Sequence, residues 1–228
     1  MQLKFATYNI HKAVGLDRRC DPERIMAVLH ELDADVVALQ EADRRFGSRE
    51  TVLPRSLLDE HHWQEVPVAA RQLSIGWHGN AILVKRGIEI VSGQRIDLPT
   101  IEPRGAVVAH LRKDGRAFLA CGMHLDLTGL ARRRQIAQVC QAVLAEGMPK
   151  VLMGDLNEWS REKGALRGFG EGWHVLAPGR SFPSRRPVAM LDRIIHSDAM
   201  TCEGAGIHHS ALSVAASDHL PAWALMRW

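Results

Sequence analysis

Asp155 and Asn157 stand two residues apart at the end of the apolar run Lys150-Val151-Leu152-Met153-Gly154. The run predicts a short buried strand that stops at Gly154, where the backbone can turn sharply and deliver the polar pair from its tip. Side chains two residues apart on an extended chain face the same way, so a carboxylate and a carboxamide would converge on one spot. Such a pair orients a water molecule, accepting one hydrogen bond from it and donating another. A strand followed by an ordinary Asx-rich turn is the competing use of the same letters.

Similar residues end other apolar runs: Asn9, Glu41, His124, Asp192 and the pair Asp218-His219. Several acidic oxygens with neutral amides suit a hard divalent cation such as Mg²⁺. Two histidines and the remaining carboxylates are left for proton transfer and oxyanion stabilisation. The cysteines, Cys20, Cys121, Cys140 and Cys202, form no Cys-x-x-Cys motif, and reduced thiols are expected.

The elements that must position these groups follow from periodicity. Residues 3 to 9 read as a strand ending at Tyr8-Asn9. Asp21-Pro22-Glu23 then supplies an N-cap, a first-turn proline and an acidic first turn for a helix over residues 22 to 32. Residues 35 to 39 form a buried strand with Gln40-Glu41 at its end. Pro54 to His62 predicts a short helix, and Gln64 to Ala69 a short strand. Strands follow over residues 81 to 84 and 88 to 91, then a loop holding Pro99, Pro103 and Arg104. Strands 106 to 111 and 117 to 123 are joined by Asp114-Gly115, a hairpin signal. A second long helix is expected from Leu130 to Ala145, with Gly147 as its C-cap. The segment from Asn157 to Val188 reads as irregular, and strands are expected at 191 to 195 and 220 to 226.

The chain has 228 residues, 46% of them hydrophobic, and fits one domain with one compact core. No run of about 18 apolar residues marks a transmembrane segment, and no signal peptide is visible, so a soluble, cytoplasmic monomer is expected. The net charge is only +3, although arginines outnumber lysines 23 to 6. A dedicated duplex-DNA protein has a stronger basic stripe. The tryptophans are expected in the core or at a rim, and Arg132-Arg133-Arg134 as a solvated helix face.

In order, the blocks Thr7-Tyr8-Asn9-Ile10, Val37-Ala38-Leu39-Gln40-Glu41, Gly79-Asn80-Ala81-Ile82-Leu83, Gly122-Met123-His124-Leu125, Gly154-Asp155-Leu156-Asn157, Leu191-Asp192-Arg193-Ile194 and Ser217-Asp218-His219 span nearly the whole chain. Together the chain resembles the endonuclease/exonuclease/phosphatase superfamily, the DNase I-like metal-dependent phosphohydrolases. The resemblance implies an α+β fold, a four-layer α/β/β/α sandwich of two packed mixed sheets with the site at one edge. It implies Glu41 as principal metal ligand for Mg²⁺, or Mn²⁺ in its place, with Asn9 beside it and Asp218 as a further ligand, the three converging with no cationic side chain to stand in for the ion. Asp155 would orient or deprotonate the attacking water, and Asn157 would hold water and phosphate. His219, held in its tautomer by Asp192, would contact a phosphoryl oxygen, and His124 would clamp the oxyanion or protonate the leaving group. Asp155 and His219 both stand as candidates for the general base. Asn80, Arg104 and Arg185 are the expected substrate contacts.

Histidine rather than tyrosine at His124 places the chain apart from abasic-site endonucleases within the resemblance, beside nucleases, sphingomyelinases, inositol-phosphate phosphatases and deadenylases. It looks like the small bacterial metal-dependent hydrolases. The loops bearing Arg18-Arg19, Arg44-Arg45 and Arg180 to Arg186 favour a compact ester, small or lipid-derived, over nucleic acid, with a DNA or RNA nuclease as the alternative.

Overall fold

The computed structural model describes residues 1–45, 47–100, 104–144 and 147–228. In chain order the elements are β1 (Gln2–Asn9), α1 (Pro22–Leu32), β2 (Val36–Gln40), α2 (Arg55–Glu60), β3 (Trp63–Glu65) and β4 (Ala81–Lys85). Then come β5 (Glu89–Asp97), β6 (Gly105–Lys113), β7 (Arg116–His124), α3 (Gly129–Leu144) and β8 (Lys150–Asp155). Last are β9 (Trp173–Leu176), β10 (Asp192–Ser197), β11 (Thr201–Ile207), α4 (Ala211–Ala216) and β12 (Ala222–Arg227).

The strands form two six-stranded mixed sheets, ordered β11-β12-β1-β2-β4-β3 and β5-β6-β7-β8-β10-β9. Alternating side chains stack them. In β1, Leu3 and Phe5 enter the core between the sheets, while Ala6 and Tyr8 face the helices. In β7, Phe118 and Ala120 point between the sheets, and Leu119, Cys121 and Met123 point the other way. Each central strand is therefore apolar on both faces, as a strand covered on both sides must be. Ile25, Val28, Leu29 and Leu32 of α1 close the outer face of the first sheet; Ile136, Val139, Cys140 and Val143 of α3 close that of the second. The result is the expected four-layer α/β/β/α sandwich.

Local chemistry sets the ends as expected at α1, where the Asp21 side chain accepts from the Arg24 amide and Pro22 opens the helix. Asp114 and Gly115 both have positive φ, 50° and 74°, which a two-residue hairpin between β6 and β7 needs. Elsewhere the chain departs from expectation. Strand β8 does not stop at Gly154: it runs on to Asp155, and a Cβ at Gly154 would meet the Met123 carbonyl oxygen at 1.9 Å. That glycine serves the close approach of β7 rather than a turn. The expected strand over Gln64 to Ala69 is β3, shifted to Trp63–Glu65, and β5 extends to Asp97 through a register shift at Ile90/Ser92. Strands β9 and β11 and helix α4 were not expected. Pro103 and Ala145 lie outside the described residues. Among the described residues, no helix is long and apolar enough to cross a membrane.

Candidate active site

Strand register gathers the polar residues. His124 ends β7 opposite Asp155 at the end of the parallel β8, and Asp192 opens β10 opposite Asp155 on its other side. Three chemistry-bearing side chains thus stand in one row across adjacent strands. In the other sheet, Asn9 pairs with Gln40 at the ends of parallel β1 and β2, with Glu41 next in the chain. His219 precedes β12, which pairs with β1, and its ring reaches across to Asp192 in the second sheet.

At its centre is a buried chain of contacts. Asp192 Oδ2 accepts from His219 Nδ1 at 2.9 Å and from Ser181 Oγ at 2.5 Å. On the other side of the imidazole, His219 Nε2 lies 3.6 Å from Asp155 Oδ2, and His124 Nε2 lies 3.5 Å from the same oxygen. Asp155 Oδ2 also accepts from Asn9 Nδ2 at 3.1 Å, while Oδ1 accepts from the Asn157 amide at 3.0 Å. Burial alone would raise the Asp155 pKa, but His219, His124 and these hydrogen bonds outweigh it and lower it. Burial also opposes charge on His219, yet Asp192 and Asp155 prevail and push it up to about 10. Burial pushes the Asp192 pKa upward, against the pull of His219 and Ser181 beside it.

Asn157 does not extend the strand alternation. Its backbone is left-handed, φ 50°, and its Nδ2 donates to the Leu125 carbonyl at 2.9 Å. The Asx turn closed by Asp155 Oδ1, rather than period-two geometry, places it beside the cleft.

Glu41 also has left-handed backbone, φ 57°, which turns the chain out of β2. Gly79, packed against it, has φ 80°, a backbone conformation that glycine adopts without strain. The Glu41 carboxylate is bound by the Lys12 ammonium. This corrects the expectation that no cationic side chain stands near the carboxylates. Burial would raise the Glu41 pKa, but Lys12 carries it the other way, below its ordinary value. Lys12 lies in a turn whose residues His11, Lys12 and Ala13 have φ of 45°, 58° and 59°. Three consecutive non-glycine residues with positive φ are strained, and such strain collects at functional sites. The turn is fixed in part by the Asn9 side chain, whose Oδ1 accepts from the His11 amide at 3.1 Å. Asp218 is half exposed, with His11 Nδ1 3.9 Å from its Oδ1.

His124 is buried, and Arg104 Nη1 lies 2.8 Å from its Nε2 and 2.9 Å from its Nδ1. A guanidinium only donates, so the imidazole accepts as the neutral form. Burial, with Arg104 adding to it, lowers the His124 pKa to about 4. Asn80 is fully buried; its Nδ2 donates to the Gly105 carbonyl at 3.0 Å and so braces β6 directly after Arg104. Arg185 is exposed and lines neither cleft described below.

Several contributors had no sequence signal. Lys12 follows Asn9 by three residues, a spacing with meaning only in this left-handed turn. Arg132 is not a solvated helix residue: it is 7% exposed, donates to the Leu127 carbonyl at 2.6 Å and pairs with Glu158 at 3.1 Å. It thereby ties the loop after His124 to the loop after Asn157. Its place in the first turn of α3, adverse for a cation, was the one available hint. Phe182 packs its ring 4.8 Å from that of His219, and Ser217 Oγ donates to the Asn9 carbonyl at 2.7 Å.

Two joined clefts result. One is lined by Asn9, Asp155, Asn157, Asp218 and His219, with Leu127, Trp159 and Phe182 on its wall. The other holds Lys12, Asp43, Arg44, Arg45, Arg49 and His78. Glu41, Arg104 and His124 line both. Among the described residues, Asp155, Asp192 and His219 place three ligand atoms within 4.8 Å of one another, but Asp192 and His219 already bond to each other. The oxygens of Asn9, Glu41, Asp155 and Asp218, gathered in one cleft without a thiol, fit a hard divalent cation. The ammonium already on Glu41 marks the same demand for positive charge.

Known proteins place this geometry. The chain is 26% identical over 218 residues to the uncharacterized protein YbhP of Escherichia coli K12, covering 86% of this chain and 85% of that one. A mannosyl-6-phosphatase of Bacteroides thetaiotaomicron has a similar fold, with TM-score 0.74, 16% identity, and 99% of this chain and 100% of that one covered. TDP2 of D. rerio, complexed with single-strand DNA product, gives TM-score 0.76 and 17% identity, with 100% and 99% covered. The sequence profile of the Endonuclease/Exonuclease/phosphatase family matches residues 6–219, nearly the whole chain, and with these folds it establishes that the protein belongs to that family of hydrolases.

Proposed function

We propose that this protein is a Mg²⁺-dependent phosphoesterase, with Mn²⁺ able to substitute, that hydrolyses a phosphodiester or phosphomonoester by in-line attack of an activated water. The observation that carries the reading is the buried Asp155 carboxylate, ionised between two histidines of opposite character and open to the cleft of Glu41 and Asp218. Glu41, Asn9 and Asp218 would hold the divalent cation, which would supply positive charge to the phosphoryl oxygens.

In this reading Asp155 orients the attacking water and takes its proton, with Asn157 beside it. Between the two candidate bases, the electrostatics favour Asp155, because an imidazole raised to about 10 already carries its proton at neutral pH. His219 instead donates to a phosphoryl oxygen, fixed by its bond to Asp192. Its charge meets the negative charge that grows in the transition state. His124, neutral and held by Arg104, donates a ring N–H to the oxyanion; a group lowered to about 4 is a poor proton reservoir for the leaving group at pH 7.

A nuclease is the second reading, favoured by the fold shared with a protein bound to single-strand DNA product. The walls support the compact ester, since arginines flank one side of the site and apolar side chains the other. The test is a panel of phosphomonoesters, phosphodiesters, plasmid, oligonucleotides and RNA, with Mg²⁺ or Mn²⁺ and with EDTA. Expected are metal-dependent turnover of a small ester, weak or no abasic-site incision, and at most modest, salt-sensitive nicking. Undiminished activity in excess EDTA would sink the mechanism, and duplex binding with a log-log salt slope steeper than about −5 would move the assignment to the nuclease.

A further inference from the structure

The cleft beside Glu41 has an asymmetry that bears on the substrate. Among the described residues, the cationic side chains of Lys12, Arg44, Arg45, Arg49 and Arg104 line it together with the carboxylates of Glu41 and Asp43. Lys12 binds Glu41. Asp43 is turned inward, accepting from Ser74 Oγ at 2.6 Å and the Ile75 amide at 3.3 Å. It works as an anchor for the arginine-bearing loop. That loop is pinned at both ends, with the Arg44 amide on the Glu50 carbonyl at 2.8 Å and the Val52 amide on the Ala42 carbonyl at 2.9 Å. The Arg49 guanidinium is aimed by His78, whose Nδ1 accepts from Nη1 at 2.9 Å.

We infer that this cleft is a second anion subsite, which seats a further phosphate or carboxylate of the same substrate while the scissile phosphate lies between Glu41 and Asp155. The inference rests on the phosphoesterase reading above. Guanidinium groups grouped on a pinned loop match a compact tetrahedral or planar anion through paired N–H donors. Glu41, Arg104 and His124 belong to both clefts, so one small molecule reaches both. Among the described residues, the opposite wall offers no matching track for a polyanion: Trp159 is 66% and Leu127 64% exposed there, with Phe182 beside them. A nucleic-acid strand would continue past the site on both sides and need phosphate contacts on both. The substrate class is therefore a compact ester with a second anionic group on one side of the scissile phosphate only.

Two measurements test this on the full-length protein. With Mg²⁺, the KM for glycerol 1,3-bisphosphate should be at least tenfold below that for glycerol 3-phosphate, and Arg44→Gln/Arg49→Gln should bring the two within threefold by raising the KM for the bisphosphate. Equal KM values in the wild type, or a variant that lowers kcat on both esters alike, would overturn the subsite. Without metal, calorimetric titration with inorganic pyrophosphate should show binding that weakens at least tenfold in the double variant and less than threefold in Asp155→Asn. The titration stands even if no ester is turned over, so failure of the subsite and failure of the phosphoesterase reading separate. A single-stranded oligonucleotide that binds more tightly than pyrophosphate, and loses that binding in the double variant, would assign the cleft to a nucleic-acid track instead.

Discussion

Replacing Asp155 by Asn keeps the size of the side chain and removes the feature on which the chemistry depends. Both carboxylate oxygens are acceptors in the structure: Oδ1 takes the Asn157 amide at 3.0 Å and Oδ2 takes Asn9 Nδ2 at 3.1 Å. An amide has only one oxygen, so in either orientation its NH₂ faces another donor. One unsatisfied buried donor costs about 1–3 kcal/mol. For a chain of this length about 2–4 °C of Tm goes with each kcal/mol, so the variant should melt roughly 2–12 °C lower and still fold. Activity should suffer far more. The variant loses the group that accepts the water's proton and, after Asp192, the second carboxylate that raises the His219 pKa. By comparison with loss of a single oxyanion donor, a fall in kcat of at least about 10²–10³, some 2.7–4 kcal/mol of barrier, is expected. The assay is kcat at saturating ester on protein shown to be folded by circular dichroism. Retention of more than about a tenth of wild-type kcat, a barrier change under about 1.4 kcal/mol, would refute the role of Asp155.

Lys12→Met should tighten Mg²⁺ and Mn²⁺ binding several-fold by calorimetry, because the ammonium competes for Glu41; weaker binding would show that Lys12 helps the ion instead. Arg132→Met should destabilise by about 3 kcal/mol, because the buried Glu158 carboxylate keeps only the Ser160 and Ala165 amides as partners, and lower Tm by roughly 6–12 °C. Unchanged melting would remove Arg132 from its role in tying the two site loops together. Stability should fall in acid: Asp17, held at about 2 by Arg24, and Asp126 and Glu158 all have lowered carboxyl pKa values. A depressed carboxylate stabilises the fold above its unfolded pKa, near 4, and loses that contribution as pH falls through the folded value. Tm should therefore drop steadily from about pH 4.5 downward, and a rise over that range would contradict the assignment.

The site could be read largely because its residues end strands that are apolar on both faces. Val36–Gln40 and Lys150–Asp155 stop abruptly in polar chemistry, and two adjacent parallel pairs put their ends at one edge. Where geometry leaves the regular periods, legibility ended. Lys12 is brought to Glu41 by successive positive φ angles at residues whose types give no sign of them. Asn157 reaches the cleft through a turn rather than the strand alternation that predicted it. Arg132 sits in a run of three arginines, and its partner Glu158 lies 26 residues further on. Edge elements were also hidden: β11 is half exposed, contains Gly204 and Gly206 and is bulged at Cys202/Gly204. Helix α4 has only six residues and is capped reciprocally by Ser210 and Ser213 in place of the usual acidic partner.

The central claim is that a water held by Asp155 attacks phosphorus directly, with no covalent intermediate on the protein. The stereochemical course at phosphorus decides it: a chiral phosphorothioate analogue of a diester that is turned over, hydrolysed with Mg²⁺ in H₂¹⁸O and analysed for product configuration. A single in-line displacement predicts inversion, with ¹⁸O in the thiophosphate product. Retention, or ¹⁸O in the alcohol, would contradict it.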